Sequence, residues 1–179
     1  MKRRNDLFRK YVEQIAGHNY VSYNLNENPS LFVMTYANVP EIGQQTAFTI
    51  GLSNYANDRW RLGKPELLVS VNSLDSCWPL AMGELVLRAS GSQDFSVGQI
   101  FKFGSEISSE SQMDAFLLYY CIVLEREDAV YRDSDGIINI VQLFPIYTSE
   151  IDEIKRMGSR SFLTRMGESI YDVHRQPIG

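Results

Sequence analysis

Ile137 to Ile146, IINIVQLFPI, is an almost unbroken apolar run rich in Ile and closed by a proline. A run of that length and β-branched content reads as a strand buried on both faces, which puts it near the centre of a sheet that other elements cover. Pro145 has no N–H to give to a central ladder, so it marks the strand's end or an edge. Asp135-Gly136, just before the run, is a tight-turn signature. Beyond it, Ser149 can cap a helix with Asp152 as its box-like partner. Glu150, Asp152 and Glu153 fall in the first turn of that helix and Lys155 and Arg156 in its last, the arrangement a helix dipole favours. Asp152 and Arg156 form an i,i+4 pair. Ile151, Ile154 and Met157 face the core and Gly158 ends the helix. A second short helix, from about Arg160 to Met166, turns Phe162, Leu163 and Met166 inward.

Upstream, Leu7, Phe8, Tyr11, Val12 and Ile15 recur at spacings of three and four, which predicts an amphipathic helix over about 2–16 with Gly17 as its stop. HNYVSYNLNENPS reads as a polar connection. Leu31 to Ala37, Thr46 to Ser53 and Glu66 to Val71 read as successive strands separated by Asn, Asp, Gly and Pro turns. Trp78, Leu80, Met82, Leu85, Val86 and Ala89 then mark a core helix from about Ser76 to Ala89. Pro79 is tolerated in its first turn and Gly91 closes it. VGQIFKFG returns to alternation and suggests an exposed or edge strand. Ala115 to Leu124, AFLLYYCIVL, has the character of a central strand covered on both faces, although its length also admits a buried helix. EREDAVYRDSDG is a charged link. Runs of strands between helices, without strict alternation, argue for a mixed α/β (α+β) fold: one domain over residues 1–179, a central mixed β-sheet packed by helices.

The formal net charge is -5, and the only basic cluster is Lys2, Arg3 and Arg4. Without a basic stripe to offset phosphate charge, nucleic acid is not an expected partner. Asp6, Phe8, Arg9 and Glu13 follow the basic residues where a signal peptide would need an apolar run. No stretch approaches the roughly 18 apolar residues of a membrane span. No membrane association and a cytoplasmic location are therefore expected. Cys77 and Cys121 are the only cysteines; their apolar and aromatic neighbours suggest buried thiols rather than a disulfide.

No catalytic constellation emerges. The two histidines, His18 and His174, and the cysteines lack metal-ligand spacing, so no metal site is assigned. Asp133-Ser134-Asp135-Gly136 resembles the start of a calcium loop but lacks the later ligands and the bidentate Glu, and turn chemistry accounts for it. GxSxG, GxGxxG and P-loop patterns are absent, and no cofactor is expected. An activated cysteine needs an electropositive, open site, the opposite of the surroundings of Cys121. Cys77 stands at a helix start, where the terminus would lower a thiol pKa. Glu125, Glu127, Asp128, Asp133 and Asp135 read as a solvated acidic surface, or as a patch that steers a basic partner. Near the C-terminus DVHRQ brings Asp172, His174 and Arg175 together. A strand there would put Asp172 and His174 on one face and Arg175 on the other, against the plainer reading of a solvated terminal strand or tail.

Several strings, in order, resemble the suppressor of fused (SUFU) domain family: AFTIGLSNYAND, PELLVSV, CWPLAMGELVLRA, GQIFKFGSEIS, AFLLYYCIVLERED, GIINIVQLFPIYTSEIDEIKR and YDVHRQPI. The last resembles the Asp and Arg close of bacterial members. Gln142 inside a Gly-bounded strand, and the Thr148 to Glu150 helix start after it, carry much of the likeness, which spans roughly Phe48 to Ile178. The resemblance implies a mixed α/β domain like the N-terminal half of the animal protein, an intracellular adaptor that sequesters a transcription factor. It also implies that the animal protein's second domain, and the cleft between the two, are absent here. Short single-domain bacterial members resemble components of toxin and immunity systems. The expectation is a non-catalytic protein-binding module, an immunity protein or adaptor whose partner is a protein such as a cognate toxin. The alternatives are an enzyme using Asp172, His174 and Arg175, and a purely structural protein. The partner-binding surface and the oligomeric state are left open.

Overall fold

The computed structural model describes residues 2–25, 30–60, 63–89 and 93–178. Helix α1 (Lys2–Ala16) precedes strands β1 (Val21–Asn24), β2 (Phe32–Ala37), β3 (Gln45–Ile50) and β4 (Lys64–Val71). Helix α2 (Cys77–Ala89) leads to β5 (Ile100–Lys102), β6 (Ala115–Tyr120), β7 (Val130–Asp133) and β8 (Gly136–Ile146), and α3 (Ile151–Met157) and α4 (Ser159–Met166) follow. All eight strands join one mixed sheet in the order β1-β2-β3-β4-β8-β6-β5, with β7 on β8. The fold is therefore the mixed α/β arrangement that the pattern of elements implies.

Strand β8 lies near the centre of the sheet, beside β4, as its composition predicts. One edge of it runs parallel to β4, from Lys64↔Ile138 to Val69↔Leu143. Its other edge is shared: β7 takes the first part, from Asp133↔Gly136 to Val130↔Asn139, and β6 the second, from Tyr120↔Val141 to Ala115↔Ile146. The chain must therefore leave the sheet between Tyr120 and Val130. Pro145 sits opposite Phe116 and beyond the last β4 partner, Leu143, so its missing N–H falls where the β4 ladder has already ended.

Alternation along β8 sorts its side chains onto two faces. Val141 and Leu143 join Leu67, Val69, Phe116 and Leu118 beneath α2, whose Trp78, Met82 and Val86 are fully buried. On the opposite face, Ile138 and Ile140 lie with Tyr36, Phe48 and Leu68 under Phe8 and Val12 of α1. Phe144 and Ile146 lie with Leu117 under Ile154 and Phe162 of α3 and α4. The α1 bounds and the inward residues of α4 agree with the sequence expectation.

Several expectations need correction. The polar connection contains β1, and the charged link contains β7. Both are short strands with partly or fully exposed residues, so neither carries the apolar alternation that marks a half-buried strand. The run from Ala115 is a strand, not a helix, but it ends at Tyr120. Gln142 is the reason: fully buried, it accepts the Ile122 and Val123 N–H groups on Oε1 at 3.0 and 3.3 Å, diverting them from the ladder. The strand expected to reach Ser53 stops at Ile50, because Gly51 turns at φ 104 into a 3-10 turn. A Cβ on Gly51 would stand 1.9 Å from the Ser30 carbonyl oxygen, so only glycine fits there.

At the α3 start neither Ser149 nor Asp152 caps the helix, which has no side-chain cap; instead Glu150 Oε2 accepts the Tyr147 N–H at 3.0 Å and closes the 3-10 turn Thr148–Glu150 just before it. Asp152 stays exposed, 3.7 Å from Lys155, and Arg156 pairs with Glu153 at 2.6 Å instead of with Asp152. Gly91, expected to close α2, and the end of the polar connection at 26–29 lie outside the described residues.

Candidate functional site

The divergence of β6 and β7 opens a groove of about 1170 Å³. Pro65 of β4, Asn139 to Val141 of β8 and Tyr120 at the end of β6 form its base. Residues 121–130 make one wall, and Arg59 with Trp60 and the segment from Asp94 to Val97 make the others. Gln142 shapes the first wall by holding its first amides. Tyr11 of α1 braces the same wall from behind, its hydroxyl donating to the Asp128 carbonyl at 2.9 Å. The other two walls are joined to each other: the Trp60 indole N–H donates to the Asp94 carbonyl at 2.9 Å, and Asn57 Nδ2 to the Gln93 carbonyl at 2.7 Å. Phe95 sits at φ 47, a left-handed conformation rarely adopted by a bulky residue, and its ring is buried against Phe101 at 5.7 Å. The site thus presents aromatic surface on a braced frame, with Tyr120 63% exposed at its base.

Charge in the groove is sparse. The Asp94 carboxyl is held below its usual range, first by the Ser96 hydroxyl at 2.7 Å and against partial desolvation, with Gln99 and the nearby Arg59 also lowering it. Burial pushes the Cys121 thiol up to about 11, and its side chain packs toward the α1 cluster as expected for a core thiol. Alkylation of Cys121 should be very slow at pH 8 and accelerate only as the pH approaches 11. A reactive-thiol assay across pH checks this, and rapid labelling at neutral pH would contradict it.

Cys77 corrects the expectation of a lowered thiol pKa at a helix start. Its pKa is raised, first by burial and then by its hydrogen bond to Asp75. Asp75 Oδ1 itself accepts the Cys77 N–H at 2.9 Å, so a carboxylate already occupies the helix terminus. Both cysteines are free.

The C-terminal trio does not assemble. The segment is a turn, not a strand: Asp172 Oδ1 accepts the His174 N–H at 2.8 Å. His174 points outward with Nδ1 3.0 Å from the Glu110 carbonyl oxygen. Arg175 runs the other way, to 6% exposure, where its Nη1 and Nη2 meet Glu150 Oε1 and Oε2 at 2.5 and 2.8 Å. The tail is thus anchored rather than solvated. A smaller polar hollow of about 600 Å³ lies beside His174, Glu110 and Tyr147. The Glu110 carboxylate there is already engaged by the Trp78 indole at 2.9 Å and by the Ser73 hydroxyl.

The acidic residues are likewise dispersed. Glu125, Glu127 and Asp135 are exposed, but Asp133 is nearly buried and lies 3.4 Å from Arg4. His18 is exposed, 3.8 Å from Glu13. Among the described residues no group of His, Cys, Asp or Glu could hold a metal ion, and no helix is long and apolar enough to cross a membrane.

Sequence reasoning missed Glu66 and the partnership of Glu150 with Arg175. Glu66 is 1% exposed and accepts from Thr49 Oγ1 and from the Gly51, Leu52 and Ser53 amides at 2.7–3.3 Å. Its signal was present: alternation in PELLVSV puts Glu66 on the same face as Leu68 and Ser70, hence inward.

No family model and no curated protein matches the chain. Solved structures do. A protein from Neisseria gonorrhoeae described as a homologue of suppressor of fused gives a TM-score of 0.73 at 14% identity, covering 99% of this chain and 97% of that one. A chain of a Sufu–Fu complex gives 0.66 at 12% identity, covering 98% of this chain and 90% of that one. Drosophila Suppressor of Fused gives 0.66 at 12% identity; 97% of this chain is covered but only 49% of the fly protein. With its helix-flanked mixed sheet matched over almost the whole chain, the molecule has the fold of a SUFU-like domain.

Proposed function

We propose that this chain is a non-catalytic protein-binding module, a single SUFU-like domain over residues 1–179 that holds a protein partner in the groove beside Tyr120. The carrying observation is the groove itself: aromatic residues on a braced frame, without an activated thiol. Aromatic side chains that stay exposed on a rigid rim are the usual anchors of protein interfaces. The Sufu–Fu complex, a structure of the same fold, supports the reading. The bacterial neighbour, matched over 97% of its own chain, supports a short, bacterial-type SUFU-like domain. The role as a cytoplasmic immunity protein or adaptor, with a cognate toxin as one class of partner, rests on the resemblance of the sequence strings alone. The enzyme reading loses its geometry, because Arg175 is committed to Glu150 while His174 faces away.

Affinity capture with the wild type and with Tyr120→Ala tests this. Tyr120 is 63% exposed, so its removal should leave the melting temperature nearly unchanged. A partner retained by the wild type should then be purified and titrated against both proteins, with a loss of about tenfold or more in the variant. If that partner arrests growth when expressed alone and this chain restores it, the immunity role stands. Equal binding by wild type and variant would remove the groove from the reading, and growth arrest unrelieved by this chain would remove the immunity role.

A further inference from the structure

Three side chains in the groove carry formal charge: Arg59, Asp94 and Arg126. Asp94 is already answered within the protein by the Ser96 hydroxyl and the Gln99 amide, and Arg59 lies close enough to lower its pKa. Arg126 is exposed and makes no hydrogen bond or ion pair among the described residues. The groove therefore keeps an unmet guanidinium on a chain whose net charge is -5. The same lining includes Trp60, Phe95, Val97, Tyr120 and Leu124, a largely apolar seat. At about 1170 Å³ the groove exceeds the roughly 300–1,000 Å³ of small-molecule pockets, and a sheet forms its base.

We infer that the groove takes an extended partner segment with an aromatic or aliphatic anchor flanked by carboxylates, the anchor seated against Tyr120 and Trp60 and a carboxylate paired with Arg126. This rests on the groove being the partner surface. An acidic segment meets repulsion from the net charge and from exposed Glu125 and Glu127, which flank Arg126 in the chain but do not line the groove; salt screens the part beyond about 8–10 Å. At contact the guanidinium decides, and a bidentate arginine–carboxylate pair is among the stronger hydrogen-bonded ion pairs. A basic flank would instead meet Arg126 as a like charge.

Three short synthetic peptides test the inference with the full chain: a Phe-Leu core with Asp on both flanks, the same core with Lys flanks, and a Ser core with Asp flanks. Anisotropy titration should show the Asp-flanked apolar peptide binding at least about tenfold tighter than either other. The Trp60 indole resonance and the backbone amide resonances of Trp60 and Tyr120 should shift with it. The preference over the Lys-flanked peptide should collapse in Arg126→Glu, whose exposed site leaves the melting temperature unchanged, and at about 1 M salt. Equal or tighter binding of the Lys-flanked peptide would overturn the inference, as would peptides that leave the groove resonances in place. A groove-dependent partner that presents a basic segment would defeat this inference alone. Asp-flanked binding with no groove-dependent protein partner would defeat the broader functional reading instead.

Discussion

An Arg175→Ala variant should lose about 3–5 kcal/mol of stability, the cost of leaving a buried charge without its partner. Glu150 is 0% exposed and faces the Arg175 guanidinium through both oxygens, so the variant leaves its carboxylate deep in the protein without the cation that answers it. Arg175 also donates to the Gln176 carbonyl at 3.2 Å, and its guanidinium carbon stands 5.3 Å from the Tyr147 ring centroid, a cation–π distance. Glu150 Oε1 accepts the Ile178 N–H at 3.0 Å as well, so the pair fastens the tail to the end of β8. For a domain of this size the loss corresponds to a drop of roughly 10 °C in melting temperature. Amide exchange should show residues 172–178 released first. Replacing both partners with methionine should recover only part of the loss: an apolar pair removes the unpaired charge, but the Tyr147 and Ile178 N–H groups lose the acceptor that Glu150 gives them. A loss below about 1 kcal/mol in Arg175→Ala would mean that the pair is solvated in solution.

Glu66→Gln should cost about 3 kcal/mol, and the cost should depend on pH. Thr49 Oγ1 and the Leu52 amide converge on Oε2, and the Gly51 and Ser53 amides on Oε1. A glutamine amide nitrogen in place of either oxygen would point its own N–H groups at two donors, each unpaired buried donor costing roughly 1–3 kcal/mol. Thr49 cannot turn to adapt, because its oxygen also accepts the Leu67 N–H at 2.7 Å. Burial pushes the Glu66 carboxyl above its usual range, and the hydrogen bonds from Thr49, Ser53 and Gly51 pull against that. A raised folded-state value means that the folded protein holds the proton more tightly than the unfolded chain. The associated stability is complete below the ordinary carboxylate value of about 4.3 and declines as pH rises through the raised value. The glutamine variant has no such decline, so its deficit relative to the wild type should shrink with rising pH. Urea denaturation of both proteins between acid and neutral pH measures it. A deficit that grows with pH would show that the donors, not burial, dominate.

What was legible in the sequence follows from how strongly each element depends on its own side chains. Helix α1 could be read to the residue because Phe8 and Val12 mark one face and Gly17 ends it at φ 99. Strand β8 could be read because both faces are covered, which leaves its apolar run broken only by Asn139 and Gln142 before Pro145. Strands β1 and β7 could not, since what makes them strands is a ladder with β2 and with β8, and backbone pairing leaves little trace in exposed side chains. The groove was invisible for a related reason. Trp60, Phe95 and Tyr120 lie far apart in the chain and come to line one groove through tertiary bonds: Trp60 to the Asp94 carbonyl, and Gln142 to the amides that turn the chain after Tyr120 out of the sheet.

By itself the sequence determined the class of fold, the central place of β8 and the inward faces of α1 and α4, since hydrophobic burial depends on residue spacing that any reader of the chain can count. It also contained the glutamate at 150 and the arginine at 175, but assigned one to a helix start and the other to a solvated terminus. Only the tertiary structure decided that they form one buried ion pair, that Glu66 collects four donors, and that an aromatic groove opens where β6 and β7 part. Each of these joins groups from separate segments of the chain. Their energies come from desolvation and short-range geometry, which exist only once the sheet has brought those segments together.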